Sequence, residues 1–394
     1  MNMPKIDNSL VNALCVESNA YAVVRVRTPA QLGYVARRFD VVAAFPFINA
    51  LGIRCNRNEV NRLAAMQEVE CVTAQGRVSA LDGVRRTERT FPAKDEESAR
   101  VHRAESGNTN DLSSRIGAST DENSVYAEIF GRANELTGAG VTLCVMDTGV
   151  SPHTDICVPK DRIKVFKDLV GGKEFAYDDN GHGTFVAGVA AGNGVLSANK
   201  IKGVAPCAEI VGLKVISASG ETGTFKILEG MQWLYEHAEE LGVKVVCMSF
   251  GADPVARADP LKLGAEMLSR SGLTVVCAAG NSGAGGLKSP GVSAEVITVG
   301  AVDDDLNPAE FSSSGVYQGV FRPDLYAPGV KIRGVDAGGT YSVMSGTSVS
   351  APYVAGACCL LHERFRRLTP REAKQMLIRA CADVRGIKVF SMER

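Results

Sequence analysis

Apolar and polar positions divide the chain into three stretches of different texture. In residues 20–78 the pattern changes every few residues. Ala20–Arg27 (AYAVVRVR) has the two-residue period of a strand. Thr28-Pro29 supplies a cap and a first-turn proline, after which Leu32, Val35, Ala36 and Phe39 share one helical face. Val41–Cys55 is apolar with a break around Asn49–Gly52, which suits two paired strands. Asn56 with Glu59 is a capping-box pattern ahead of a stripe of Val60, Leu63 and Ala64. Glu70–Val78 closes as a further strand. The order β-α-β-β-α-β in about 60 residues predicts a small ferredoxin-like α+β unit.

Residues 79–124 are rich in Arg, Glu, Asp, Ser and Asn and show no sustained period, which predicts a linker. From about Val125 short apolar runs return: Val141–Met146, Ile210–Ile216, Val243–Met248 and Leu273–Ala278. Helical stretches such as Phe225–Leu241 and Pro260–Ser271 separate them. This alternation predicts an α/β unit with a mainly parallel sheet covered on both faces. Functional residues in such a sheet belong at the carboxyl ends of the strands.

Composition removes several classes of function. Lys plus Arg number 43 against 44 Asp plus Glu, so no global positive field exists to hold nucleic acid or an anionic membrane. No apolar run reaches the roughly 18 residues of a membrane span. Met1–Cys15 lacks the basic start and apolar stretch of a secretory leader. The 11 cysteines are scattered without a C-x-x-C pair, which argues against a disulfide framework or a zinc ribbon. These features predict a reducing, cytoplasmic setting.

Four segments carry candidate chemistry. Asp147 follows an apolar strand in Asp147-Thr148-Gly149, where its carboxylate would stand at the sheet's upper edge. An aspartic-protease dyad needs two such carboxylates, and the chain has one Asp-Thr-Gly. His182 lies between glycines at a loop-to-helix junction, Asn180-Gly181-His182-Gly183-Thr184. Ser348, in Ser345-Gly346-Thr347-Ser348-Val349-Ser350-Ala351-Pro352, precedes an apolar helical run; unpaired N–H groups there favour a developing oxyanion, although an ordinary N-cap has the same pattern. Asn281 follows the strand LTVVCAAG, as a turn residue or as an amide donor whose loss from an oxyanion site costs roughly 10²–10³ in rate.

Taken together, the order Asp147, His182, Asn281, Ser348 resembles that of the subtilisin-like serine proteases, the subtilases. The likeness extends through Gly203-Val204-Ala205-Pro206, Met248-Ser249-Phe250-Gly251, Ala278–Gly283 and Ala327-Pro328-Gly329, over about residues 125–385. It implies a three-layer α/β catalytic domain at 123–394, a ferredoxin-like prodomain at 1–80 and a linker at 81–122 that holds the processing site. It further implies that Ser348 is the nucleophile, His182 the base, Asp147 its partner, and Asn281 with the Ser348 N–H the oxyanion donors. Substrate backbone would pair with Gly220–Gly223 and with Ser249, Phe250 and Gly251. Ala278, Ala279, Gly280 and Lys288 would shape the pocket before the scissile bond. An inward ammonium on Lys288 would favour an acidic residue there.

Phe185 stands where the family usually has His, and Val349 where it usually has Met. Gly192–Lys202 is poor in carboxylates, as in intracellular bacterial relatives, so no metal site is assigned; calcium is possible, with Asp303-Asp304-Asp305 read as a solvated loop. The expected partners are protein or peptide substrates and the chain's own prodomain as inhibitor, with no nucleic acid and no membrane. The resemblance predicts self-processing that removes roughly 80–115 residues. The competing expectation is a catalytically silent peptide-binding module of the same fold.

Overall fold

The computed structural model describes residues 5–81, 130, 136–256 and 258–392. The linker expected at 81–122 lies outside these residues except for Leu81. Helix α1 (Asn8–Val16) opens the chain, followed by β1 (Ala20–Val26), α2 (Leu32–Ala36), β2 (Asp40–Phe45), β3 (Ala50–Cys55), α3 (Arg57–Ala65) and β4 (Val69–Ala74). These strands form an antiparallel sheet in the order β2-β3-β1-β4, the ferredoxin-like arrangement. The capping box at Asn56 and Glu59 starts α3, as its sequence requires. One sheet face buries Val24, Leu51, Ile53 and Val72 with residues of the three helices, including Leu10, Val35 and Leu63.

The turn between β2 and β3 falls at Pro46–Asn49, earlier than the apolar pattern suggested, with Asn49 in the left-handed region at φ 55°. Gly52 lies inside β3 because Phe225 packs on it: a Cβ there would sit 2.8 Å from the Phe225 ring. A second difference matters more. Glu70–Val78 is not one strand. It breaks at Gln75-Gly76, and Arg77–Ala80 forms a separate strand, β5, that leaves the small sheet altogether.

The larger unit holds β6 (Thr142–Asp147), α4 (Thr154–Cys157), β7 (Ile163–Asp168), α5 (His182–Ala191), β8 (Glu209–Lys214), β9 (Glu221–Gly223) and α6 (Thr224–Leu241). It continues through β10 (Val243–Met248), β11 (Phe250–Gly251), α7 (Pro260–Arg270), β12 (Thr274–Ala278), β13 (Ile297–Val302), β14 (Gly315–Tyr317), β15 (Val320–Arg322) and β16 (Leu325–Pro328). It closes with β17 (Ile332–Val335), β18 (Tyr341–Met344), α8 (Thr347–Arg364), α9 (Pro370–Ala380), β19 (Ala382–Val384) and β20 (Ile387–Val389). Nine strands make the central sheet in the order β19-β20-β16-β13-β12-β10-β6-β8-β7, parallel except for the β19–β20 pair.

The apolar runs are continuous because both faces are covered. Leu143 and Val145 point to the core beneath α5 and α8, while Cys144 and Met146 point to the core beneath α6 and α7. That second core also takes in Val23, Phe45, Phe47, Ile48 and Ala50 from the small sheet. Its open face therefore docks on α6 and α7 of the large unit. Phe225 meets Phe45 and Tyr21 with ring centroids 5.7 and 6.2 Å apart, and Phe47 meets Tyr235 at 5.8 Å. Gln232 accepts a hydrogen bond from the Phe47 N–H. Cys144, Cys247, Cys277, Cys358 and Cys359 are free and fully buried, and burial raises all their pKa values, Cys247 to about 12.

Behind β12, His362 is 4% exposed with Nε2 2.9 Å from Thr274 Oγ1. Burial, and secondarily the Lys244 charge, lower its pKa from 6.5 to about 4. A base with a depressed folded pKa confers its full stability above 6.5 and loses it progressively as pH falls toward 4. The shift corresponds to roughly 3–4 kcal/mol. Thermal melts between pH 7 and 4 should therefore show a decline in Tm that is shallower in His362→Gln; equal slopes in the two proteins would remove this assignment.

Candidate active site

β6, β10 and β12 are neighbours in the sheet, so Asp147, Ser249 and Asn281 emerge along one carboxyl edge. Asp147 is the last residue of β6 and accepts from the Thr148 N–H at 2.7 Å. The same Oδ1 lies 2.7 Å from His182 Nδ1, both side chains being about 1% exposed. His182 is the first residue of α5, after Gly181 at φ 96°. Gly183 allows the close approach: a Cβ there would sit 2.2 Å from Gly149 O and 3.0 Å from Asp147 Cβ.

Asp178 holds this junction together and escaped the reading of the motifs. Its Oδ1 accepts from Thr148 Oγ1 and from the N–H groups of Asn180 and Gly181, and its Oδ2 accepts from both N–H and Oγ1 of Thr184. Thr148 Oγ1 in turn accepts from the Gly183 N–H. One carboxylate thus ties the Asp147 turn to the start of the His182 helix. The available signal was an acidic residue four positions before a helix-opening His, favoured there by the helix dipole.

Ser348 is the second residue of α8, two positions after an N-cap that is Gly346 rather than Ser348 itself. Asn281 faces it with both ends of its amide in use. Oδ1 accepts from the N–H and Oγ1 of Thr347 at 2.9 Å each, which caps α8 and leaves the NH₂ end to point outward. Ser249 Oγ donates to the Ser348 carbonyl at 3.0 Å.

The cleft beside these residues is filled by the chain itself. β5 lies between β11 and β9 as the middle strand of an antiparallel three-stranded sheet. Phe250 and Gly251 pair with Ala80 and Ser79 on one edge; Glu221, Thr222 and Gly223 pair with Ser79, Val78 and Arg77 on the other. The Ala80 N–H donates to Gly220 O at 2.9 Å and the Leu81 N–H to Ser249 O at 3.1 Å. The Leu81 carbonyl then accepts from Asn281 Nδ2 at 2.8 Å and from Ser348 Oγ at 2.7 Å. Gly220, Gly223, Ser249, Phe250 and Gly251 therefore flank one strand, β5 of this chain.

Val78, Ala80 and Leu81 are buried, at 0, 8 and 9% exposure, while Arg77 is exposed and pairs with Glu221. Ala278 shares a core with Leu81; Ala279 packs with Leu287 and Val292; the Gly280 N–H donates to Thr347 Oγ1 at 3.2 Å. The stem of Lys288 runs between Gly251 and Gly280, and its ammonium is held by Asp253 at 2.6 Å.

The family resemblance raises calcium, and the residues present do not fit it. Asp155 is the carboxylate facing the Gly192–Lys202 segment. It is occupied by the Leu196 N–H on Oδ1 at 2.7 Å and by Tyr341 OH on Oδ2 at 2.6 Å. The buried Arg162 guanidinium supplies positive charge there, donating to the carbonyls of Ala191, Ala208 and Asp155. Asp303 accepts from the N–H groups of Asp305 and Asn307 within its own turn. Among the described residues no group of three His, Cys, Asp or Glu side chains is placed to hold a metal ion.

Phe185 and Val349, the two departures from the family pattern, pack into one cluster with Val189 and Met344. The paired changes leave the Asp147–His182 contact intact.

Comparison with known proteins agrees with this arrangement. The model of the subtilase family matches residues 138–392. The chain is 38% identical to serine protease AprX of Bacillus subtilis (strain 168) over 282 residues, 64% of this chain and 63% of that protein. It is 37% identical to subtilisin Savinase of Lederbergia lenta over 230 residues, 58% of this chain and 78% of the relative. A solved cold-adapted subtilisin-like serine proteinase superposes on 65% of this chain and 90% of its own with a TM-score of 0.55 at 30% identity. The match thus spans somewhat under two thirds of AprX. On the family match over well over half its length, and on a central sheet of the same architecture, the chain belongs to the subtilase family.

Proposed function

We propose that the chain is a serine endopeptidase made as a zymogen, and that it cuts itself between Leu81 and Asp82. One observation carries this reading: the Leu81 carbonyl rests against Ser348 Oγ and Asn281 Nδ2 while its strand is paired on both edges. That is the posture of a substrate. Ser348 Oγ attacks the Leu81 carbonyl carbon as His182 takes its proton. Asn281 Nδ2 and the Ser348 N–H hold the negative oxygen of the tetrahedral intermediate. The C–N bond to Asp82 then breaks, His182 protonates the leaving amine, and water releases Leu81 from the acyl-enzyme. Asp147 keeps the imidazole oriented and stabilises its charged form. A silent binding module has no need of a buried Asp–His pair at the strand edge that also carries Ser249 and Asn281.

After the cut, residues 1–81 keep both the β5 pairing and the aromatic contacts to α6, so the released segment remains an inhibitor that must be removed for activity. The bonds of β5 to the cleft are backbone bonds, which any extended peptide can copy. Denaturing intact-mass analysis of wild-type protein on storage should show cleavage after residue 81, and fluorophosphonate should label Ser348 once residues 1–81 have been removed. Ser348→Ala in a protease-free preparation should keep full length; shortening there at the wild-type rate would refute self-processing.

The inhibitory strand also describes the preferred substrate: an apolar residue before the cut, a small one preceding it, and a buried apolar residue three positions back from the first. Burying a Leu side chain contributes about 1.5–3 kcal/mol. The Lys288 ammonium is occupied by Asp253, so an acidic residue in the first pocket gains no free partner. In peptides built on Val-Ser-Ala-Xaa-Asp, Leu at Xaa should exceed Glu by about tenfold or more in kcat/KM. Equal cleavage would show that Lys288 exchanges Asp253 for the substrate.

No metal is required in this reading, because Arg162 and backbone donors already satisfy Asp155 and the neighbouring carbonyls. A chelator should leave Tm and peptide hydrolysis unchanged; a fall in Tm reversed by calcium would overturn it.

A further inference from the structure

Lys214 is fully buried, at 0% exposure, and ends β8 directly beside Asp147 in the parallel register. A buried ammonium is costly unless every proton finds an acceptor. Here the three acceptors come from three different segments. Nζ donates to Thr148 O, to Asp179 Oδ1 at 2.7 Å and to Ile216 O at 3.0 Å, with the Tyr177 ring centroid 5.1 Å away. Thr148 follows Asp147, and Asp179 precedes His182 by three residues. Ile216 leads into the turn that presents Gly220 to the substrate strand.

We infer that Lys214 is a positioning residue for the Asp147–His182 pair, acting through Thr148 and Asp179. The backbone at Asp147 is already anchored, since its carbonyl accepts from the N–H groups of Val215 and Ile216. The Thr148 peptide and the Asp179 side chain lie between that anchor and the His182 helix, and Lys214 joins them. Asp178 clamps the same junction from the other side through Thr148 Oγ1, Gly181 N–H and Thr184. The two braces differ in kind: Asp178 is a cap on the helix, whereas Lys214 is a cation shared between the two loops. The substrate edge meets Lys214 through Ile216 O and has further support of its own. The turn before Gly220 is closed by its own bonds, Ser217 N–H and Oγ to Glu221 O and Gly220 N–H to Ser217 O. Its loss should therefore act on the chemical step and leave substrate binding alone.

The inference rests on the protease reading, and the experiment separates the two. Full-length wild type, Lys214→Met, Asp179→Ala and Asp179→Asn are compared by thermal melting, by the first-order rate of cleavage after Leu81, and, once processed, by kcat and KM per serine titrated with fluorophosphonate. A misplaced triad costs on the order of 10²-fold. Lys214→Met is expected to lose about that much in kcat and in self-cleavage rate, and Asp179→Ala about tenfold, with KM within about twofold of wild type. A purely structural role would lower Tm and leave kcat per titrated site unchanged. If Lys214→Met does not fold, Asp179→Asn decides, with the same loss of about tenfold expected, because its amide oxygen still accepts from the buried ammonium and the side chain is 43% exposed. Unchanged kcat in the folded variants, or a raised KM with kcat retained, would overturn the inference. Processed wild-type protein that is freed of residues 1–81 and still does not react with fluorophosphonate would overturn the protease reading along with it.

Discussion

Asp147 and His182 share a 2.7 Å hydrogen bond at about 1% exposure. A carboxylate left unpaired in such a place is strongly destabilising, so the surrounding structure has to fix both partners before the pair is worth burying. The parallel sheet supplies the first constraint by ending β6 at Asp147 with Lys214 beside it. Gly183 supplies the second by letting the next helix start against that turn without a side chain between them. Asp178 supplies the third, since its five accepted hydrogen bonds span the turn and the helix start together. Much of the buried polar inventory of the upper edge exists to hold this one contact.

The same economy governs β5. Its residues complete a sheet whose outer strands, β9 and β11, are three and two residues long and have little pairing of their own. The segment that blocks the cleft is therefore also the one that orders it. Recognition runs through backbone groups and two apolar side chains, Val78 and Leu81, which is the chemistry of a substrate rather than of a dedicated inhibitor. What makes the contact durable lies elsewhere, in Phe45, Phe47 and Tyr21 packed on α6. In the proposed reading, affinity and cleavability are thereby held by different parts of one small domain.

The motifs and their order were legible in the chain because catalysis demands particular residue types, and a parallel sheet places them at strand ends. Asp147, His182, Asn281 and Ser348 stood out by their motifs, whereas Gly220, Gly223 and the Ser249–Gly251 segment came only from the family resemblance. The alternation in residues 20–78 carried the ferredoxin-like order, and the capping box at Asn56 and Glu59 marked its helix correctly. Phe185 and Val349 could be noticed as departures, but only packing showed them to be a single change, since 164 positions in the chain separate two side chains of one cluster.

Local pattern failed where the partner of a segment is distant. Val69–Ala74 and Arg77–Ala80 read as one strand because each alone has strand character; the break appears only when the second half finds its hydrogen bonds on β9 and β11, more than 140 residues away. Gly52 looked like a turn and is a strand residue shaped by Phe225. Lys214 and Asp178 carried no distinctive motif, because their role is to satisfy groups brought together from separate loops. The sequence alone determined which residues could do chemistry and which elements would carry them. Tertiary structure decided what each one faces, because a hydrogen bond needs both partners within about 3 Å, and that is a property of the folded chain rather than of either segment.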